Sequence, residues 1–154
     1  MTTASETLHR LGITLPVPTP AIAAYVPFVR AGNLLIISGQ LPLLDGKLLL
    51  TGQFGAGLTL EQGQNAARQC AINVLSQAQA ALGTLDLIRR VVRLGGFISA
   101  TPEFTDHAKV MNGASELMES VFGEAGRHAR STIGVPSLPL GAAVEVEGLF
   151  DISP

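Results

Sequence analysis

Ala129-Arg130-Ser131-Thr132-Ile133-Gly134-Val135, followed by Pro136 and Pro139 and then by Val144-Glu145-Val146-Glu147-Gly148-Leu149-Phe150-Asp151, decides how this chain is read. From Val144 onward, Val144, Val146, Gly148 and Phe150 share one parity, while Glu145, Glu147, Leu149 and Asp151 share the other. Period-two alternation marks a strand with one apolar face. Ser131 to Val135 is a second β-prone run, and the proline-punctuated stretch between the two lets the chain fold back. Arg130 and Glu145 stand fifteen positions apart in a chain only 14% charged and 47% hydrophobic, so charges among apolar strand residues need a reason. Arginine offers a planar fork of donors that suits a carboxylate and stays protonated at any working pH. A glutamate opposite it steers or activates a water. The pair points to a small anionic substrate attacked by water; the plainer reading is a cross-strand ion pair or a solvated face.

Working outward, Asp106 is placed to cap a helix carrying Val110, Met111, Ala114, Leu117, Met118, Val121 and Phe122, which ends near Gly123. Leu87 to Ser99 reads as a long strand, with Gly95-Gly96 implying a bulge or a close backbone approach. Thr59-Leu60-Glu61-Gln62 has the form of a capping box, and Ala67, Cys70, Ala71, Val74, Leu75, Ala78, Ala81 and Leu82 then recur at helical spacing up to Gly83. Cys70 lies on that apolar stripe and reads as buried packing rather than a nucleophile. Val26 to Arg30 and Leu34 to Ser38 form a hairpin around Ala31-Gly32-Asn33, and Asp45-Gly46 turns the chain into a strand at Lys47 to Leu50.

Ahead of these, Ser5 to Leu11 makes one or two helical turns with Ser5 as N-cap and Gly12 as terminator, and Pro16, Pro18 and Pro20 hold an extended linker. Residues 1–22 are thus an N-terminal extension and lead-in, and 23–154 a single domain. The order of elements predicts an α+β domain with a mixed sheet and two helices on one face. The opposite face needs cover in a chain whose mean hydropathy is +0.38, which argues for self-association.

Composition excludes several function classes. A formal net charge of −2 and a pI near 5.9 leave no electrostatic footprint for nucleic acid. One cysteine excludes an internal disulfide and suits a reducing cytosol. No signal-peptide pattern and no apolar run of membrane-spanning length is seen, so no membrane partner is expected and the location read is cytoplasmic. His9, His107 and His128 are scattered without metal-ligand spacing, and His128 reads as a surface residue near a cleft mouth. Ser38-Gly39-Gln40 is suited to presenting backbone donors to a carboxylate or oxyanion, or is simply a turn. Tyr25 either lends a phenol to a cleft wall or packs, and Asn112 either serves the site or solvates a helix.

Ala129-Arg130-Ser131, Leu138-Pro139 and Val144-Glu145-Val146-Glu147 together resemble the signature of the RidA/YjgF family of small imine and enamine deaminases. Gly32-Asn33-Leu34-Leu35-Ile36-Ile37-Ser38-Gly39-Gln40-Leu41-Pro42 is similar to that family's first hairpin and following turn, and the likeness runs from about Ala23 to Asp151. Tyr25, thirteen positions before Ser38, and Asn112 match the family's site tyrosine and asparagine. The resemblance implies a chorismate-mutase-like α+β fold, a homotrimer, and active sites in clefts between subunits. It gives Arg130 the substrate carboxylate and Glu145 the attacking water, with Tyr25, Ser38, Gly39, Asn112 and Thr132 lining the substrate. The implied reaction turns a 2-imino acid such as 2-iminopropanoate or 2-iminobutanoate, or its enamine, into a 2-keto acid and ammonia, with neither metal nor organic cofactor.

The sequence departs from the family pattern at three points. His128 stands where proline is usual, Gly134 replaces an acidic or polar residue, and the Asn112-to-Arg130 spacing is one residue longer. These departures bear on substrate range. An aminomuconate-like enamine in aromatic catabolism is the alternative substrate, and a non-enzymatic trimer that binds small metabolites is the alternative of another class. Ribonuclease activity, a label some relatives carry, is disfavoured by the acidic pI, the single tyrosine and the absence of tryptophan.

Overall fold

In a computed structural model, which describes residues 1–154 except Thr19 and Ile22, the chain forms α1 (Ala4–Arg10), β1 (Phe28–Ala31), β2 (Leu34–Gln40), β3 (Leu43–Leu44), β4 (Lys47–Leu48), α2 (Leu60–Leu82), β5 (Ile88–Ser99), α3 (His107–Phe122), β6 (Ala129–Val135) and β7 (Val144–Ile152). The capping box that opens α2 is complete: Thr59 Oγ1 accepts from the Gln62 amide at 3.1 Å, and Gln62 Oε1 accepts from the Thr59 amide at 2.9 Å. Gly83 closes the helix in the left-handed conformation at φ 81°.

The other two helices are capped differently from expectation. Thr3, not Ser5, caps α1, because Glu6 sits three residues on and completes a capping box that Ser5 lacks. Asp106 occupies the N-cap position of α3 but makes no side-chain cap bond; its carboxylate turns to Lys109 at 3.4 Å. Of the proline linker, Pro16 is tied down by Ser76, whose hydroxyl donates to its carbonyl at 2.6 Å. Thr19 and Ile22, within the same lead-in, lie outside the described residues.

The five-stranded sheet runs β1-β2-β7-β5-β6. β5 and β6 are parallel and joined across α3, as a parallel pair requires a crossover, and the other neighbours are antiparallel. The stretch between β6 and β7 therefore does not make them neighbours: β5 lies between them, which rules out a cross-strand pair of Arg130 with Glu145.

Both long helices cover one face of the sheet, as the order of elements predicts, and the short α1 packs onto α3. Leu35, Ile37, Leu94, Ile98, Val146 and Phe150 from the sheet meet Cys70, Val74, Leu75, Met111 and Met118 from the helices, all at most 1% exposed. Gly63 and Gly113 let the two long helices approach closely, Gly113 against the backbone of Gln64. Cys70 is buried, its Sγ 3.6 Å from the Val144 carbonyl, and burial first, then Glu145, pushes the thiol well above its ordinary range.

At Gly95-Gly96 the close-approach reading holds. Gly96 sits against the Met111 thioether on the helix side, while Gly95 sits against the Glu147 carboxylate on the other. The irregularities of β5 lie earlier, between Ile88 and Arg90 and between Val91 and Arg93. The face away from the helices leaves Val29, Ile36 and Ile133 exposed by 47%, 44% and 52%.

Candidate functional site

Positions 108, 112, 115 and 119 of α3 follow helical spacing and form one stripe. The edge strand β6 runs beside that stripe, and Arg130 reaches across it. Its Nη1 donates to Asn112 Oδ1 at 2.9 Å and to Ser115 Oγ at 3.0 Å, and its Nη2 donates to the Ala108 carbonyl at 3.1 Å. Among the described residues, the Nε–H and the second Nη2–H have no partner. Those two donors form one edge of the guanidinium fork, the geometry that takes a carboxylate in two bonds.

His128 stands behind this arrangement. Its Nε2 lies 2.9 Å from Ser115 Oγ and its Nδ1 lies 2.6 Å from the Gly126 carbonyl. A carbonyl only accepts, so Nδ1 carries a proton. Burial, opposed by the Gly126 bond and aided by the charge of Arg130, holds the imidazole below its ordinary range and keeps it neutral at pH 7. Nε2 is then an acceptor, the Ser115 hydroxyl donates to it, and Ser115 Oγ accepts from Arg130. The three side chains share a cleft of about 220 Å³ with Glu119, Gly126 and Arg127. Two positions along β6, Thr132 Oγ1 is buried with no partner among the described residues.

Glu145 faces the other way. Along β5, Leu94 pairs with Arg130 and Gly148, whereas Phe97 pairs with Ile133 and Glu145. Residues opposite one another share a face, and 94 and 97 differ in parity. Arg130 therefore belongs to the helix face and Glu145 to the open face. The Glu145 carboxylate fills the space left by the missing side chain of Gly39, its Cδ 3.0 Å from where a Cβ would stand. Burial first, then the charge of Glu147, raises its carboxyl above the ordinary range.

Ser38 spends both its donors locally. Its hydroxyl donates to the Val26 carbonyl at 2.7 Å and its amide to the Pro27 carbonyl at 2.9 Å. Tyr25, half-exposed, lines a second and smaller cleft of about 70 Å³ with Pro27, Gly39, Gln40, Leu43 and Leu140. The predicted residues thus fall into two groups. Arg130, Asn112 and Thr132 lie at the β6–α3 edge; Tyr25, Ser38, Gly39 and Glu145 lie around β2 and β7.

This fold and signature match the YjgF/chorismate-mutase-like family model, whose description also carries an endoribonuclease label, over residues 5–151. The chain belongs to the RidA/YjgF family. It is 52% identical over 147 residues to Protein TCP17 of Trypanosoma cruzi, covering 95% of this chain and 92% of that one. It resembles the crystal structure of protein Atu1372, of unknown function, from Agrobacterium tumefaciens, with a TM-score of 0.91 and 47% identity over 97% of this chain and 92% of that one. More distantly, it is 28% identical over 140 residues to the 2-iminobutanoate/2-iminopropanoate deaminase of Dermatophagoides farinae, covering 91% and 94% of the two chains.

Within this RidA/YjgF chain, sequence reasoning passed over Ser115 and took His128 for a surface residue, whereas His128 is half-buried and bonded at both nitrogens. The available signal was the spacing of Asn112 and Ser115, three residues apart and hence on one helical face. Nothing local to position 128 announces its partner, because the contact closes only when β6 docks on α3.

Proposed function

We propose that this protein is a cofactor-independent imine/enamine deaminase that hydrolyses 2-imino acids to 2-keto acids and ammonia. The observation that carries the reading is the Arg130 guanidinium, held by three bonds with one two-donor edge left over. A fixed fork of this kind takes a planar carboxylate bidentately and orients the adjoining imine carbon, so positioning supplies much of the acceleration. Water adds to the C=N carbon and one of its protons passes by way of Glu145 to the nitrogen, giving the carbinolamine; the hydroxyl proton then follows the same route, the C=O bond forms as the C–N bond breaks, and ammonia leaves. A carboxyl titrating above its ordinary range suits this shuttling, since its proton affinity is closer to working pH.

The two residue groups complete one site only when two copies meet, with Arg130, Asn112 and Thr132 from one and Glu145, Gly39 and Tyr25 from the next. The apolar open face bearing Val29, Ile36 and Ile133 supports such an association, and a homotrimer closes it. The family relationship and the deaminase named among the relatives support the chemistry.

The test generates 2-iminopropanoate in situ with a PLP-dependent dehydratase acting on serine and follows imine decay with wild type and Arg130→Ala. Wild type accelerates decay, and Arg130→Ala loses about 100-fold or more of kcat/KM while keeping its circular dichroism spectrum. Equal decay with and without wild type overturns the reading for this substrate; turnover of an unsaturated amino-dicarboxylate instead identifies the enamine alternative.

A further inference from the structure

We propose that His128 is a positioning residue for Arg130, acting through Ser115: as a neutral acceptor it fixes the Ser115 hydroxyl so that the serine oxygen offers its lone pairs to the guanidinium. The inference rests on the reading of Arg130 as the carboxylate-binding group. Its geometry is a continuous chain, from the Gly126 carbonyl to His128 Nδ1 at 2.6 Å, from His128 Nε2 to Ser115 Oγ at 2.9 Å, and from Ser115 Oγ to Arg130 Nη1 at 3.0 Å. Each link admits one donor assignment once the Gly126 carbonyl fixes the tautomer. Arg130 is half-buried at an edge strand, where a flexible side chain has many rotamers to choose from. Asn112 and the Ala108 carbonyl hold two of its N–H groups, and Ser115 supplies the third restraint.

Protonation of His128 would break this arrangement. Nε2 would become a donor, the Ser115 hydroxyl would lose the acceptor that fixes it, and repulsion between the imidazolium and the guanidinium would loosen the hold of Ser115 on Arg130. The charged groups facing His128 are Arg130 on β6 and Glu119 on α3, with Arg127 lining the same cleft. Glu119 favours the charged imidazole; burial and Arg130 oppose it. Carboxylate affinity therefore weakens as pH falls through the His128 titration, which lies below the ordinary imidazole value of about 6.5. The effect belongs to binding, because Arg130 contacts the carboxylate before and during reaction, so it appears in KM more than in kcat.

Two measurements on the full-length protein test this. In the coupled imine assay, Ser115→Ala and His128→Phe raise KM about tenfold with kcat changed little, the loss expected for one hydrogen bond to a charged group. His128→Gln, whose amide oxygen replaces the Nε2 acceptor, retains most of the affinity and abolishes the acid-side rise in KM. The second measurement needs no substrate: ¹⁵N NMR resolves the His128 tautomer and the Arg130 Nη signals. It should show the Nδ1-protonated tautomer at neutral pH and altered, faster-exchanging Arg130 signals in His128→Phe. A charged His128 at pH 7, or Arg130 signals identical in wild type and His128→Phe, overturns the inference even in an active enzyme. Spectral coupling without any imine hydrolysis faults the deaminase reading and leaves the relay standing.

Discussion

Arg130 and Glu145 face opposite sides of the same sheet. Arg130 is level with Leu94 and Glu145 with Phe97, three residues apart on the strand that separates them. No rotamer brings two such groups to one small substrate within a single chain, so shared chemistry between them requires a second copy. A mixture of Arg130→Ala and Glu145→Gln protein, unfolded and refolded together, should therefore recover activity that neither variant has alone. For random assembly of a cyclic oligomer, one site in four receives both intact residues, giving about a quarter of wild-type activity. Assays of the mixture at or below the sum of its components would place both residues' work within one chain.

Gly39→Ala separates activity from stability. Its Cβ would enter the space the Glu145 carboxylate occupies, but that group is the far end of a flexible side chain and can move. The melting temperature should shift by no more than a few degrees, equivalent to about 1 kcal/mol. On the proposed mechanism the turnover rate should fall at least about tenfold, because the carboxylate assigned to the water is displaced. Full activity in Gly39→Ala would show that the Glu145 position is not critical.

Gly113→Ala tests the helix packing. In an exposed helix the change would stabilise by about 0.5–1 kcal/mol through propensity alone. Here the added methyl lies 2.8 Å from the Gln64 Cα and closer still to its carbonyl oxygen, and backbone cannot step aside as a side chain does. Overpacking of this kind costs about 1–3 kcal/mol and outweighs the propensity gain. Urea denaturation should show a net loss of about 2 kcal/mol; an unchanged midpoint would mean that the helices separate freely at this crossing.

Glu145→Gln has a stability signature tied to pH. The folded carboxyl titrates above its unfolded value because of burial and Glu147, so between those two values the folded state holds the extra proton. Stability then falls as pH rises through that window, and at neutral pH the ionised carboxylate weakens the fold. The variant should melt higher than wild type at pH 7, with the advantage vanishing below the ordinary glutamate value of about 4.3. A lower melting temperature at pH 7 would reveal a cationic partner for Glu145 contributed by another copy.

Much of this architecture is written locally. Thr59 and Gln62 announce the start of α2 and Gly83 its end, because capping and left-handed termination depend on residues only a few positions apart. The alternation from Val144 to Asp151 likewise places Glu145 and Glu147 on the face away from Val146, since a strand has period two whatever its neighbours. At the start of α1 the sequence reading takes Ser5, whereas Thr3 caps the helix because Glu6 stands three residues on.

Local patterns suffice for the helices, most of the strands, the two-layer class and, through the signature around Arg130, the family. Tertiary structure alone decided that β5 lies between β6 and β7, that Arg130 and Glu145 therefore face apart, and that Ser115 and His128 stand behind the arginine. The physical reason is range. Caps and periodicities are enforced by neighbouring residues, whereas strand order and register follow from which apolar faces bury against one another across the whole chain.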